Sequence, residues 1–487
     1  MAAIGEASRG APPAEAVGGG LHRHVLGEIQ VLAQAVSNIG PSLGAAALIP
    51  LVFAGAGGAS WLTAAIATVG VLAIAGVISE LSRRHVSTGA LYTLIPKGLG
   101  PTGGLLAAGG FLIIALAGQM VAILGFGPAF AQFLTSAFSI GHSSRAELVV
   151  FDLGALLLAA GIALREVRLS TTLLFTIEAV SMTAISVLLV VVLAKHGHIF
   201  DSSQLKLKGA SVHGVLLSMT ILVLAFGGFE SAATLGVESR QPRRSIPLAL
   251  LGSVAVVGVF FIVNAYVQIL GFEGTGLKFA GETVPLGTLA DHYSVKWLGD
   301  IVLLGVSLSW FGCICAWLNY APRTVLAMSD DRVIPAWLSR TSKTTGAPRG
   351  GLVFWAVTWL VFTLYLVISG TNLTEAFGNI GYLAGYGYTL LYLFVALAGI
   401  GYVLRHGIVK AWFVPAAVIG GAVMVLVYWY SFKPFPVHPV DIYAYAFIIF
   451  VGLLLLACVA AWIFAPDWLR RMGRTEEPES GEGAAPA

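Results

Sequence analysis

Charge is what this sequence has least of. Asp, Glu, Lys and Arg make up 10% of its 487 residues, against roughly a quarter in soluble globular domains. So few charges exclude an ordinary water-covered domain, and no nucleic-acid partner is expected. Cysteine is equally scarce: Cys313, Cys315 and Cys458, all inside apolar runs. Cys313 and Cys315 are two apart on a helix, so they point in different directions and cannot pair. They read as small core residues. The ten histidines lie in tails, loops or the ends of apolar runs. His196 and His198, flanking Gly197, form a weak metal pattern at best. No nucleophile–base spacing and no phosphate-binding loop stands out, so neither an enzyme nor a cofactor is expected. The first 20 residues, rich in Ala, Gly, Pro and Glu, lack the basic-then-apolar order of a signal peptide. Repeated pore loops and charged rings, the marks of a channel, are also missing.

What the chain has instead is apolar length. Apolar residues make up 57% of it, in runs of roughly the 20 residues that a bilayer demands of a helix. Twelve runs are read, at 28–54, 60–82, 103–138, 147–164, 171–195, 212–238, 247–271, 297–328, 352–369, 377–403, 411–431 and 440–465. The expectation is an all-α polytopic membrane protein with twelve transmembrane helices. The third and eighth runs are long and should tilt or project from the bilayer. With the amino terminus inside, the inner segments hold 20 of the 27 Lys and Arg residues. The outer ones hold the other 7: Arg145, Lys195, Lys206, Lys208, Lys278, Lys296 and Lys433. That bias predicts that both termini are cytoplasmic. Residues 1–27 read as a disordered tail, and residues 466–487, ending in "TEEPESGEGAAPA", as an acidic disordered one.

Two runs are interrupted. The first, "VLAQAVSNIGPSLGAAALIP", places Ser37, Asn38, Gly40, Pro41, Ser42 and Gly44 near mid-membrane. The sixth places Gly227, Gly228 and Glu230 there. Gly and Pro each weaken a helix, Pro by removing a donor and clashing with the preceding turn. Single glycines in membrane helices commonly serve close packing, but clusters with polar neighbours predict true breaks. Breaks five spans apart imply two five-span repeats of opposite topology, the sequence pointer to an inverted-repeat transporter.

Three stretches carry a resemblance. "FGGFESAATLGVESRQPRRSIPLAL", "ELSRRHVSTGALYTLIPKGLGPTGG" and "PRTVLAMSDDRVIPAWLSR" resemble the sixth span and its following loop, the second-span exit, and the eighth-span exit of the amino acid–polyamine–organocation permease family. The resemblance covers residues 28 to 465. It implies the LeuT-type fold: a five-plus-five inverted repeat over 28–403, with two accessory helices over 404–465. It also implies secondary active transport in a cell membrane, with an amino acid or amine as small-molecule partner, often coupled to protons or to exchange, and lipid around it. A nutrient sensor that binds without transporting would share this fold. The family's first break often reads Gly-Ser-Gly, whose N–H groups bind a substrate carboxylate. Here it reads Gly40-Pro41-Ser42-Leu43-Gly44, and Pro41 subtracts one donor.

A broken helix exposes backbone polar groups that hydrocarbon cannot satisfy, so they must meet a cavity, a ligand or protein. The second half of the first span begins near Ser42 with positive partial charge; the first halves end near Asn38 and Phe226 with negative partial charge. Asn38, Ile39, Gly40, Ser42 and Gly44 are therefore candidate substrate-binding residues, as are Phe226, Gly227, Phe229 and Glu230. Glu230 either pins its break by accepting freed N–H groups or pairs with a substrate amine. Phe226 either gates the substrate or packs. Gln119 lines the cavity or bridges helices, and Trp310 walls the site or packs. Of Tyr382, Tyr386 and Tyr388, spaced by four and two, only the first two share a face, and one of the three could close an outer gate. Arg323, Asp330, Asp331 and Arg332 either hold a closed inner gate or are solvated. Glu178 has no basic partner on its own span. It stands where the resembling family can place a lysine facing spans one and eight. It is the candidate coupling residue, with a hydrogen bond to span one, Ser307 or Ser309 as the structural alternative.

Overall fold

The computed structural model describes residues 16–17, 21–141, 144–164, 167–279, 282, 285–407, 409–432 and 441–474. Most of them are helical. The first apolar run becomes α1 (Glu28–Ile39), α2 (Pro41–Leu43), one π-helical turn (Gly44–Leu48) and α3 (Ile49–Ala56). Then come α4 (Ser60–Arg84), α5 (Leu91–Leu99), α6 (Pro101–Phe138), α7 (Arg145–Ala163) and α8 (Val167–His196). A short α9 (Ser202–Leu205) precedes α10 (Val212–Phe226), a 3-10 helix over Phe229–Leu235 and α11 (Pro242–Phe272). The chain continues through α12 (Pro285–His292), α13 (Lys296–Asp330), α14 (Arg349–Ile368) and α15 (Leu373–His406). It ends in α16 (Phe413–Ser431), α17 (Asp441–Phe464) and α18 (Pro466–Leu469).

Among the described residues, 11 helical stretches are long and apolar enough to cross a membrane. The first, Glu28–Arg84, runs 57 residues. Straight, it would measure about 85 Å, nearly three times a hydrocarbon core of about 30 Å. It is divided at Gly57, whose φ of +55° ends α3 ahead of a 3-10 turn. The long third and eighth runs are single helices of 38 and 35 residues, each with a proline inside, Pro128 and Pro322.

Burial sorts the helices into a centre and a rim. In α6, α13 and the broken stretch Val212–Leu235, more than two thirds of the most apolar window is buried; in α7, α16 and α17 less than a third is. The rim helices turn residues such as Leu157, Ile449 and Leu456 outward. Their solvent is acyl chain, so apolar exposure costs nothing there.

Two expectations about the tails need correction where the structure describes them. Residues 466–474 are not a loose tail: α18 forms, Leu469 and Met472 are buried, and Trp468 Nε1 donates to the Val333 carbonyl at 3.2 Å. The stretch carries enough apolar surface to dock before the acidic residues begin. Residues 24–26 run beside the segment that follows the 3-10 helix, with Val25 and Leu26 N–H both 2.8 Å from the Glu238 carbonyl. The disorder expected of 1–15, 18–20 and 475–487 lies outside the described residues.

This end of the bundle is held by polar contacts. Arg323 and Glu238, both buried, pair through Nε–Oε2 at 2.6 Å and Nη2–Oε1 at 3.1 Å, and Nη1 donates to the Asn319 carbonyl at 2.8 Å. The expectation that Arg323 could be simply solvated is therefore wrong. Asp331 accepts from Tyr92 OH at 2.8 Å and from the Arg474 N–H at 3.2 Å. Burial, with the Asp331 carboxylate, pushes the Tyr92 phenol well up, so the phenol keeps its proton and donates.

Candidate functional site

The first break is built on Gly40. It ends α1 in the left-handed region (φ 61°, ψ 66°), its N–H reaching the Val36 carbonyl at 2.9 Å. Only glycine adopts this conformation without strain, and a Cβ there would also overlap the Leu43 side chain. Pro41 restarts the helix at its first position, where a missing N–H costs least. The donors that follow are all engaged. Ser42 N–H donates to Glu178 Oε1 at 2.8 Å, Leu43 N–H to Ser309 Oγ at 3.3 Å, and Gly44 N–H to the Gly40 carbonyl at 3.0 Å. Gly44 packs against Phe261, which a Cβ would meet at 2.6 Å. Glu178 thus forms the structural hydrogen bond to the first span. Ser307 does not share it, since its hydroxyl donates to the Leu303 carbonyl.

The second break follows α10. Gly227 N–H folds back to the Leu224 carbonyl at 2.8 Å, and Gly228 takes φ of +102°. The chain resumes as a 3-10 helix rather than an α-helix. Glu230 is fully buried. Its Oε2 accepts from Gly228 N–H at 3.1 Å and from Tyr392 OH on α15 at 3.0 Å. Phe229 stands against Tyr392 with ring centroids 5.5 Å apart, and Phe226 lies edge-on to Phe261 at 5.3 Å.

The two breaks touch. Asn38 Nδ2 donates to the Gly228 carbonyl at 3.3 Å, and one turn earlier Gln34 Nε2 donates to Ser231 Oγ at 3.3 Å. From α13, the Cys313 thiol donates to the Asn38 carbonyl at 3.4 Å. Between them lies a small cavity of about 30 Å³, lined by Asn38, Ile39, Gly227, Trp310, Cys313 and Tyr388 among others. That is room for about one water molecule. A groove of about 560 Å³ beside Ala179 and Trp297 is larger but almost wholly apolar and open to the rim. It is where lipid chains would lie.

Of the residues singled out from sequence, Asn38, Ile39, Gly227 and Trp310 line the cavity. Gly40, Ser42, Gly44, Phe226, Phe229 and Glu230 are not among its lining residues; they lie in or beside the breaks themselves. Gln119 is fully buried on α6, with neither amide atom bonded to protein among the described residues. Tyr382 and Tyr386 do share a face, with centroids 6.5 Å apart, but Tyr386 packs on Phe432 and Phe447 of the accessory helices. The tyrosine at the cavity is Tyr388. Of the three tyrosines weighed as an outer gate, it is the one that reaches the cavity; sequence reading missed Tyr392, although a spacing of four puts it on the same face of α15 as Tyr388. Cys313, read as core packing, also reaches the site. Away from it, His196, His198 and Glu273 bring one ligand atom each to within 4.8 Å of one another. Glu273 is far from the histidines in sequence and gave no signal there.

Comparison with known proteins points the same way. The profile of the amino acid permease family matches residues 26–466. An uncharacterized transporter of Mycobacterium tuberculosis is 31% identical over 331 residues, covering 66% of this chain and 70% of that one. The vacuolar cationic amino acid transporter 8 of Arabidopsis thaliana is 24% identical over 359 residues, covering 71% and 57%. The putrescine transporter PotE of Haemophilus influenzae is 28% identical over 165 residues, covering 34% and 36%.

Proposed function

Since the chain belongs to the amino acid permease family, we propose that it is a secondary active transporter that moves amino acids or related amines across the cell membrane by alternating access. The observation that carries this reading is the meeting of two helix breaks around a small cavity at Asn38 and Gly227. Irregular backbone at membrane depth is tolerated where it lines such a space. The five-plus-five inverted repeat is supported by the five-span offset of the breaks. Counting the 57-residue stretch as two spans at Gly57 makes twelve, ten of them over 28–403 and two accessory ones over 404–465. The Lys and Arg bias supports cytoplasmic termini.

In this reading Asn38, Ile39, Gly227 and Trp310 face the substrate once the cavity widens. Gly40, Ser42, Gly44, Phe226, Phe229 and Glu230 hold the breaks in shape. Gln119 offers its unpartnered amide as α6 moves. The test is uptake into proteoliposomes from a panel of labelled amino acids and amines, with and without a pH gradient. Saturable, substrate-specific flux is expected. Saturable binding with no flux would make the protein a sensor on the same scaffold.

Glu178 is the proposed proton carrier. It is a fully buried carboxylate that bonds the backbone at the break itself, so a change in its protonation reaches the site directly. Glu178→Gln mimics the protonated form and keeps an acceptor for Ser42 N–H. The variant is expected to retain counterflow while its accumulation against a gradient falls about tenfold or more and its pH dependence flattens. Undiminished proton-driven accumulation would move the coupling site elsewhere.

A further inference from the structure

We propose that the site selects amines that carry no carboxylate, because the chain's own Glu178 occupies the position a substrate carboxylate would take. The inference rests on reading the paired breaks as the substrate site, and it narrows that reading to one chemical class.

An amino acid needs two things of a buried site: donors for its carboxylate and acceptors for its ammonium. The natural donors are the first N–H groups of a helix that restarts in mid-membrane. Here none is free. Pro41 has no N–H, Ser42 N–H is given to Glu178, Leu43 N–H to Ser309 and Gly44 N–H to Gly40. At the second break Gly227 N–H is closed onto Leu224 and Gly228 N–H onto Glu230. The side-chain donors left over, Ser42 Oγ and Gln119 Nε2, are neutral and cannot balance a carboxylate's charge. Among the described residues no Lys, Arg or His lines the cavity. The one fully buried Lys or Arg among the described residues, Arg323, is committed to Glu238.

Acceptors, in contrast, are plentiful. Glu178 and Glu230 flank the two breaks, both fully buried. Among the described residues the Asn38 side-chain oxygen has no protein partner, and the Asn38 carbonyl meets a weak thiol donor. Tyr388 and Trp310 add ring faces at the cavity wall, which attract ammonium groups. A site with two carboxylates and no cation favours a positive ligand and repels a third carboxylate at short range. Specificity of this kind comes as much from what is repelled as from what is held.

The experiment measures competition by matched pairs against a labelled amine on the purified full-length protein: 1,4-diaminobutane with ornithine, 1,5-diaminopentane with lysine, and phenethylamine with phenylalanine. Within each pair that competes, the amine is expected to bind at least about tenfold more tightly than its parent amino acid. In Glu178→Ala, which frees Ser42 N–H and removes a negative charge, that ratio is expected to shrink, with the amino acid gaining. A purely structural Glu178 would weaken both members alike and leave the ratio intact, which overturns the assignment to Glu178. Amino acids binding as well as or better than their amines in the wild type overturn the inference while leaving the transporter reading in place. Saturable binding by neither member of any pair overturns both.

Discussion

Gly227→Leu is expected to cut saturable uptake by about a hundredfold or more while the protein is still made and remains monodisperse in detergent. The reason is space, not backbone freedom. Gly227 has φ −55° and ψ 140°, which any residue adopts. But a Cβ there would overlap Cε2 and Cζ of Tyr388, whose ring is buried and tilted against Tyr392 with centroids 5.8 Å apart. The cavity that the leucine would enter holds about 30 Å³, less than the side chain needs. A close-packed interior transmits such a mismatch rather than absorbing it. Here it would be transmitted to the break and to Tyr388. Gly161→Leu is the control. That glycine is exposed on α7 with nothing within 4 Å of an added Cβ, so leucine there should leave uptake unchanged. Wild-type affinity and flux in Gly227→Leu would remove the site from the second break.

Breaking the Arg323–Glu238 pair is expected to be the most destabilising single change outside the cavity. Both side chains are buried, at 1% and 7% exposure, and joined by two hydrogen bonds. Removing one partner strands the other charge, at a cost of about 3–5 kcal/mol. Glu238→Ala should therefore lower the midpoint of thermal unfolding, measured at one scan rate because membrane proteins rarely unfold reversibly. Arg323→Ala should do the same. The double variant Arg323→Leu/Glu238→Leu should recover much of the loss, since it strands no charge, and the two effects should be strongly non-additive. Single variants that melt with the wild type would mean that water reaches the pair. The pair matters to function through its place. Glu238 follows the 3-10 helix of the second break, and its backbone carbonyl accepts from Val25 and Leu26, just ahead of the first broken helix. Both broken spans are thus tied together at one end of the bundle.

Much of this architecture depends on local features and could be read in the chain. A run of apolar residues long enough to span hydrocarbon is visible wherever it occurs, so the helices fall close to their expected bounds. The breaks were legible for the same reason. Gly40-Pro41 and Gly227-Gly228 interrupt a helix by their own covalent structure, whatever packs around them. Even the role of Pro41 as a lost donor followed from its ring alone.

What only the tertiary structure decided is which partner each exposed group finds. Ser42 N–H meets a carboxylate 136 residues away, Tyr392 reaches Glu230 across 162, and Arg323 finds Glu238 across 85. No local pattern encodes those distances; they depend on how helices cross and at what depth. The docking of Met472 and the placing of Tyr388 rather than Tyr382 at the cavity are of the same kind. Sequence alone determined a multi-pass helical bundle with two broken spans, because length, apolarity and helix-breaking are properties of neighbouring residues. The pairing of the donors at those breaks, and with it the chemistry left open to a substrate, was decided by helix packing, because a hydrogen bond is satisfied by whichever group is brought within about 3 Å.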